Sequence, residues 1–315
     1  MTATDGAGRV PFKAVAFAGA ANWPLWAGLE NGLFAAEGLI LRHVLTPHSR
    51  AMASDLFTGA ADLALTAIDN IVAYNEGQGE AELAGSTDFV AVMGVDDGML
   101  SLMASPEIEK IADLKGRAVS VDALSTGFAF VLRELLGETQ VDYVRVGGGK
   151  ERLAALIAGE QSATLLNAPL DLVAEAAGFR RLARARDRLG AYQGVVAAVR
   201  RGWAAEHRDL VTAFIRAYHK TVGWLAAPAN RAAAIDLLRA RMPVLDPAIA
   251  GRAYALLLDP ASGIFRDLAI DLAGVESVLR LRRAYAADKR TLSAPACYID
   301  DSFRRDALGS PPGPH

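Results

Sequence analysis

Apolar residues follow two different periodicities along this chain. Over the first 200 residues, short apolar runs typical of β-strands alternate with longer runs whose apolar positions recur every three to four residues, as in a helix. The first three predicted strands lie at 12–18, 39–45 and 61–66, and each is followed by a predicted helix. Alternation of this kind favours a parallel sheet that is covered by helices on both faces.

The alternation begins a second time near residue 89 and ends near residue 200. From residue 203 to residue 286 the apolar spacing predicts only helices. We therefore predict an α/β protein with two lobes and a helical C-terminal third. The first lobe is expected to be discontinuous, built from residues 1–92 and 196–315, with residues 93–195 inserted as the second lobe. The connections between the lobes are expected near 89–97 and 190–200.

Composition and charge exclude several function classes. The chain has 315 residues, of which 52 % are hydrophobic and 22 % charged, which is the balance of a folded globular protein and not of a disordered one. A net charge of −3 gives no electrostatic reason to bind nucleic acid. No apolar run approaches the roughly 18 residues of a membrane-spanning helix. The first ten residues lack the basic and apolar segments of a signal peptide. We therefore expect a periplasmic protein if a signal was removed, and a cytoplasmic one if Met1 is the native start.

The sequence contains no motif for covalent, metal or nucleotide chemistry. Cys297 is the single cysteine, which excludes an internal disulfide and a cysteine-based zinc site, and no neighbour in the sequence would activate it as a nucleophile. The run Gly-Gly-Gly-Lys at 147–150 is followed by Glu151, whereas a phosphate-binding loop needs Ser or Thr there. We predict no catalytic residue, no metal and no cofactor, and we expect the basic run 180–188 to be a solvated surface.

Small and amide side chains follow several of the predicted strands. Carboxyl ends of parallel strands form the ligand-binding edge of an open sheet, and helix N-termini at that edge attract anionic groups. A purely structural role as helix N-caps stays open for the hydroxyl residues in these loops, and Ser49 is an expected N-cap. The candidate site residues in the strand-to-helix loops are Asn22, Trp23, His48, Ser49, Asp69, Asn70, Ser125, Thr126, Gly127 and Asn167.

Three segments carry a family resemblance. Residues 22–39 read NWPLWAGLENGLFAAEGL, residues 113–117 read DLKGR, and residues 122–132 read DALSTGFAFVL. Together they resemble substrate-binding proteins of ABC transporters of the nitrate/sulfonate/taurine (NitT/TauT) type, which have the type-II periplasmic-binding-protein fold. Tyr192-Gln193, the run 199–203 and the run 228–231 extend the resemblance, which covers about residues 11 to 285.

The resemblance implies how the protein works. It implies two lobes joined by two crossing segments, a small-molecule ligand held between them, hinge closure on binding, and delivery to an ABC permease. It adds Tyr192 and Gln193 to the candidate site, with Trp23, Phe128 and Tyr192 available to stack on an organic ligand. We expect that ligand to be small and polar or anionic, and the protein to be a monomer with no nucleic-acid partner.

The sequence is compatible with two alternatives. One is a cytoplasmic enzyme on the same scaffold, such as a decarboxylase or lyase acting on an aromatic or heterocyclic acid. Enzymes that resemble this fold use cysteine motifs that are absent here. The aromatic desulfinase, for example, has its nucleophilic cysteine in the loop after the first strand. In this chain that loop reads Ala20-Ala-Asn22. The other alternative is a cytoplasmic ligand-sensing module, which would need an output domain that the sequence does not reveal.

Overall fold

Strands and helices alternate through the described part of the chain. The computed structural model describes residues 5–6 and 8–309, so the expectation about a signal peptide, which concerns residues 1–10, lies partly outside the described residues. The strands are β1 (Val10–Phe17), β2 (Leu39–Thr46), β3 (Leu63–Ala67), β4 (Phe89–Gly94), β5 (Leu100–Ala104), β6 (Ala118–Val121), β7 (Asp142–Arg145), β8 (Ala163–Asn167), β9 (Arg180–Arg184) and β10 (Val195–Arg200).

The helices fill the connections and the C-terminal third. They are α1 (Trp23–Glu30), α2 (Leu33–Ala36), α3 (Ser49–Thr58), α4 (Ile68–Asn75), α5 (Gly127–Leu136), α6 (Gly149–Ile157), α7 (Leu170–Ala176), α8 (Ala185–Leu189), α9 (Arg201–Glu206), α10 (Arg208–Ala226), α11 (Arg231–Arg241), α12 (Pro247–Leu257), α13 (Leu272–Tyr285) and α14 (Ser302–Leu308). Short 3-10 helices lie at Ala20–Asn22, Ile111–Leu114, Pro228–Asn230 and Pro295–Tyr298. In the described part of the chain, none of the helices has the length and hydrophobicity that crossing a membrane requires.

Two five-stranded sheets organise these elements. The first has the strand order β2-β1-β3-β10-β4, and the second has the order β7-β6-β8-β5-β9. The first sheet therefore combines the first four strands of the chain with its last one, while the second contains the strands between them. The chain passes from the first sheet to the second after β4 and returns before β10.

Both sheets are mixed, whereas the sequence pattern predicts parallel ones. β5 runs antiparallel to β8, so that Leu100 lies opposite Asn167, and β10 runs antiparallel to β3, so that Val195 lies opposite Ala67. In each case the first residue of the entering strand pairs with the last residue of its neighbour. The chain therefore enters each sheet at the edge formed by the carboxyl ends of the parallel strands. A strand that starts at this edge, as β5 and β10 do, must run antiparallel to those strands.

Some predicted elements are interrupted or differently assigned. The single helix expected over 24–37 breaks into α1 and α2 at Gly32, whose φ of +66° lies in the left-handed region. The helix expected over 203–226 breaks at His207. Part of the basic run 180–188 forms β9, at the edge of the second sheet, where charged side chains discourage further strand pairing.

The helical C-terminal third packs on the first sheet and also reaches the second. The Phe214 ring of α10 stacks on Phe12 of β1, with 5.3 Å between ring centroids. Helix α13 packs against both α4, which follows a strand of the first sheet, and α5, which follows a strand of the second. Its buried residues Val275, Val278 and Leu279 belong to the same apolar cluster as Phe130 of α5. α13 therefore joins the two halves of the molecule.

Candidate functional site

The carboxyl edges of the two sheets face each other across a narrow gap. Gly19, in the loop after β1, lies opposite Asn167 at the end of β8: a Cβ built on Gly19 would be 3.7 Å from the Asn167 Nδ2. Asp69 at the start of α4 touches Gly127 at the start of α5, where a Cβ would be only 2.6 Å from the Asp69 Cβ. Loops far apart in sequence thus converge at this gap, as expected for a ligand edge of α/β sheets.

The two crossing segments lie side by side at one end of this gap. Asp96, which follows β4, accepts hydrogen bonds through Oδ1 from the backbone N–H of Gly98 (2.9 Å) and of Val195 (3.0 Å). Gly194 packs so closely on the backbone of Gly98 that a Cβ has no room there. Burial raises the pKa of Asp96 to about 6, although the two backbone N–H groups act in the opposite direction.

Gln193 ties these crossing segments to α13. Its Nε2 donates to the carbonyl oxygens of Asp96 (3.1 Å) and Val195 (3.0 Å), and its Oε1 accepts from the backbone N–H of Asp271 (2.8 Å). The side chain is fully buried. Gln193 was predicted as a ligand contact, and in the structure its whole amide is engaged by backbone groups at the crossing.

Tyr192 lies beside this network with a free hydroxyl. The side chain is buried, and its ring would be 3.2 Å from a Cβ on Gly98. Within the described chain the hydroxyl has no hydrogen-bond partner. Burial raises the pKa of Tyr192 well above its usual value; the nearby Asp69 carboxylate raises it further, and Arg282 lowers it.

Arg282 of α13 and Asp69 form a buried ion pair in the gap. Nε and Nη2 of Arg282 donate to Oδ1 and Oδ2 of Asp69 at 2.8 and 2.6 Å, with the side chains 1 % and 3 % exposed. Nη1 donates to the Gln78 side chain (3.0 Å), and Nη2 approaches the Ser125 carbonyl oxygen (3.5 Å). The guanidinium group also lies 5.1 Å from the centre of the Phe130 ring. Arg282 thus contacts residues that follow strands of both sheets.

Asn22 and Trp23 follow β1 but play different roles. Asn22 ends the 3-10 helix after β1 and is fully buried. Trp23 is buried in the apolar core, where its indole N–H donates to the Ala234 carbonyl oxygen (3.2 Å) and its ring meets the edge of Tyr254. The ring of Trp23 is therefore occupied by α11 and α12, away from the predicted stacking role.

The predicted histidine and hydroxyl residues lie at the starts of α3 and α5. His48, not Ser49, is the N-cap of α3, and its Nδ1 accepts from the Ala51 N–H (3.1 Å) on an exposed turn. Thr126 is the N-cap of α5: its hydroxyl accepts from the Ala129 N–H (3.3 Å) and donates to Asp122 (2.9 Å). The Ser125 hydroxyl donates to Glu80, which connects the start of α5 to the segment after α4.

The structure brings most, but not all, of the predicted residues together. Asp69 and Ser125 meet at Arg282, and Gly127 packs on Asp69. Asn22 shares its loop with Gly19, which faces Asn167. Asn70 donates from Nδ2 to the Thr66 hydroxyl (2.9 Å) and stabilises the start of α4. His48 lies on an exposed turn, and Trp23 lies in the core.

Sequence reasoning missed two groups in the gap, Asp96 and Arg282. Asp96 belongs to the run Val-Asp-Asp-Gly at 95–98, between two predicted strands, and a polar turn at a predicted crossing was a usable signal. Arg282 lies in the run Arg-Leu-Arg-Arg at 280–283 of a predicted helix, and nothing local distinguishes it from a solvated arginine.

The described residues offer little for covalent or metal chemistry. Cys297 is exposed, and among the described residues no group of three or more His, Cys, Asp or Glu side chains is arranged to hold a metal ion. The groups that line the gap are amides, hydroxyls, carboxylates and a guanidinium, which suit recognition of a polar molecule by hydrogen bonds.

Comparison with known proteins gives a family match and several similar structures. The family model described as NMT1/THI5 like matches residues 21–232. None of the curated proteins matches the chain. The alkanesulfonate-binding protein SsuA from Xanthomonas axonopodis pv. citri, bound to MOPS, is 18 % identical with a TM-score of 0.71, over 92 % of this chain and 97 % of that chain.

Two further structures match over nearly their whole length. The periplasmic nitrate-binding protein NrtA from Synechocystis PCC 6803 is 11 % identical, with a TM-score of 0.73, over 95 % of this chain and 88 % of that one. The ligand-binding component of an ABC-type import system from Staphylococcus aureus, with zinc bound, is 15 % identical, with a TM-score of 0.75, over 95 % and 99 %. These similarities confirm the predicted α/β fold of the periplasmic-binding-protein type.

Proposed function

Because the chain belongs to the NMT1/THI5-like family, we propose that it is a solute-binding protein that captures a small polar organic ligand and delivers it to an ABC importer. The observation that carries this proposal is the meeting of two carboxyl sheet edges, lined by polar groups, beside two adjacent crossing segments. The structural neighbours named as nitrate-binding, sulfonate-binding and ABC import components support it.

The ligand binds in the gap between two lobes that close about the crossing segments. The first lobe comprises residues 1–92 and 196–315, and the second comprises residues 93–195, as the sequence pattern predicts. Two short, adjacent connections permit rotation of one lobe against the other, and a ligand that contacts both lobes favours the closed arrangement. The protein acts as a monomer on the periplasmic side of the membrane, where its partner is the ABC permease.

An acidic or strongly polar end of the ligand binds at the start of α5. Thr126 and Gly127 lie there, the backbone N–H groups of the first helical turn carry partial positive charge, and Gly127 presents no side chain. Asn22, Asn167 and Tyr192 surround the rest of the ligand. No observation in the described part of the chain favours the enzyme on the same scaffold.

The test begins with the small-molecule fraction of a cell extract. The purified protein is incubated with this fraction, its unfolding temperature is measured, and the retained compound is identified by mass spectrometry after gel filtration. A ligand present at about 100 times its dissociation constant stabilises the protein by about 2.7 kcal/mol. Absence of any retained compound, or its conversion to a product by the protein, would contradict the proposal.

A variant of Thr126 tests the predicted anion end. Thr126→Ala removes the hydroxyl between Asp122 and the Ala129 N–H, and we expect it to weaken binding of the retained compound about 10- to 150-fold, as for the loss of a charge-assisted hydrogen bond. The matched control is Thr58→Ala, which removes an exposed hydroxyl that bonds the Ser54 carbonyl oxygen. If Thr126→Ala lowers only the stability of the ligand-free protein, its hydroxyl is solely a helix cap.

A further inference from the structure

The Asn22 amide has an orientation that its neighbours dictate. Its Nδ2 donates to the carbonyl oxygens of Phe17 (2.6 Å) and Gly19 (3.0 Å). An amide oxygen cannot donate, so exchanging Nδ2 and Oδ1 would place oxygen against two acceptors. The oxygen therefore points away from both carbonyls. It is buried and has no hydrogen-bond partner among the described residues. Buried polar atoms are nearly always hydrogen-bonded, so this acceptor needs a donor.

The unpaired oxygen belongs to a loop at the candidate site. Asn22 follows β1 at the carboxyl edge of the first sheet, and its hydrogen bond to Gly19 fixes the part of this loop that faces Asn167 of the second sheet. The Asn167 side chain also makes no hydrogen bond within the described chain. Two amides with unused hydrogen-bonding capacity therefore lie on opposite sides of the same gap.

The chemistry of the Asn22 oxygen limits the groups that can pair with it. An amide oxygen and an oxyanion both only accept hydrogen bonds. An oxyanion placed beside the Asn22 oxygen would leave both atoms without a hydrogen, whereas an N–H group would donate to the amide oxygen.

We propose that Asn22 selects the ligand by accepting, through Oδ1, a hydrogen bond from a nitrogen that carries hydrogen: an ammonium, amidinium, amino or carboxamide group. This inference rests on the proposed function, and it is compatible with an acidic group at the other end of the ligand, near α5. A molecule whose polar atoms are all acceptors, such as nitrate or a simple deprotonated sulfonate, leaves the Asn22 oxygen unpaired and binds poorly.

Matched probes of one shape separate the two kinds of ligand. Benzamidinium and benzamide carry N–H donors on a phenyl ring, while benzoate and benzenesulfonate present only acceptors. We expect the two nitrogen probes to raise the unfolding temperature of the wild-type protein in a saturable manner, and the two acceptor-only probes to leave it unchanged. Equal or stronger stabilisation by benzoate or benzenesulfonate overturns the proposal, and so does the absence of any response to the nitrogen probes.

A variant pair assigns the effect to Asn22. Asn22→Ser should weaken benzamidinium binding at least tenfold, measured by calorimetric titration. The control Asn31→Ser also removes an amide that bonds a backbone carbonyl, that of Ala27 (2.8 Å), and should bind benzamidinium as the wild type does. Unchanged affinity in Asn22→Ser overturns the proposal; if that variant does not fold, the wild-type probe comparison decides.

The extract experiment distinguishes this inference from the proposed function. A retained compound that bears an N–H group agrees with both. A retained compound without any N–H group supports solute binding and overturns the role of Asn22. If the extract yields no ligand, the solute-binding function itself fails, whatever the response to the probes.

Discussion

Removing Arg282 measures how strongly α13 joins the two halves of the molecule. Arg282→Met keeps the length and most of the apolar stem of the side chain but leaves the Asp69 carboxylate buried without its cation. The pair is bidentate, at 2.8 and 2.6 Å, and both side chains are at most 3 % exposed. Breaking a buried pair by removing one partner costs about 3–5 kcal/mol, because the remaining charge stays desolvated.

A double variant separates the cost of the stranded charge from the loss of the pair. Asp69→Leu/Arg282→Met buries no unpaired charge, although Gln78 loses a donor. We therefore expect it to lose less than about 2 kcal/mol, and so to be more stable than Arg282→Met alone. The exposed pair between Arg241 and Glu30, 51 % and 59 % exposed, provides the control, and Arg241→Met should cost less than about 1 kcal/mol.

Urea unfolding at pH 7, followed by tryptophan fluorescence and circular dichroism, gives these free energies. Coincident transitions by the two probes are required before the values are compared. The reasoning is refuted if Arg282→Met unfolds within 1 kcal/mol of the wild type, or if the double variant is less stable than the single one. Either result would mean that the buried pair contributes no more than a solvated one.

Two further predictions concern the crossing and the contact between the sheets. The folded protein releases the Asp96 proton near pH 6 but the unfolded chain near 3.8, so the free energy of unfolding should fall as pH rises between these values. At 1.36 kcal/mol per pH unit this amounts to about 3 kcal/mol. Between pH 4 and pH 7, the free energy of unfolding of Asp96→Asn, measured by urea titration, should therefore rise by about this much relative to that of the wild type. A difference between the two proteins that does not change with pH would contradict the burial argument. Gly127→Ala places a Cβ 2.6 Å from the Asp69 Cβ, and we expect it to lower the free energy of unfolding by about 1–3 kcal/mol. The control Gly223→Ala lies on an exposed turn of α10, where a Cβ meets no atom within 4 Å, and should leave the free energy of unfolding unchanged or raise it by up to about 1 kcal/mol. Equal unfolding midpoints for these two glycine variants would exclude the close contact.

Local patterns in the sequence determined the elements and the position of the binding edge. Strand-type and helix-type runs are encoded by side chains within a few residues of each other, which is why the strand and helix around Thr126 could be predicted from the sequence. The left-handed glycine at position 38 was also recognisable, because it follows a predicted helix. The breaks at Gly32 and His207 were not, since the apolar spacing continues across them.

The tertiary structure alone decided which groups meet in the gap. Asp69 and Arg282 are 213 positions apart, and each lies in a helix whose local pattern is unremarkable. Their pairing depends on α13 passing between α4 and α5, and the burial of Asp96 depends on the return of the chain beside its own exit from the first sheet. The antiparallel direction of β5 and β10 has the same origin. A hydrophobic periodicity records which face of an element is buried, but it carries no information about the element that covers that face.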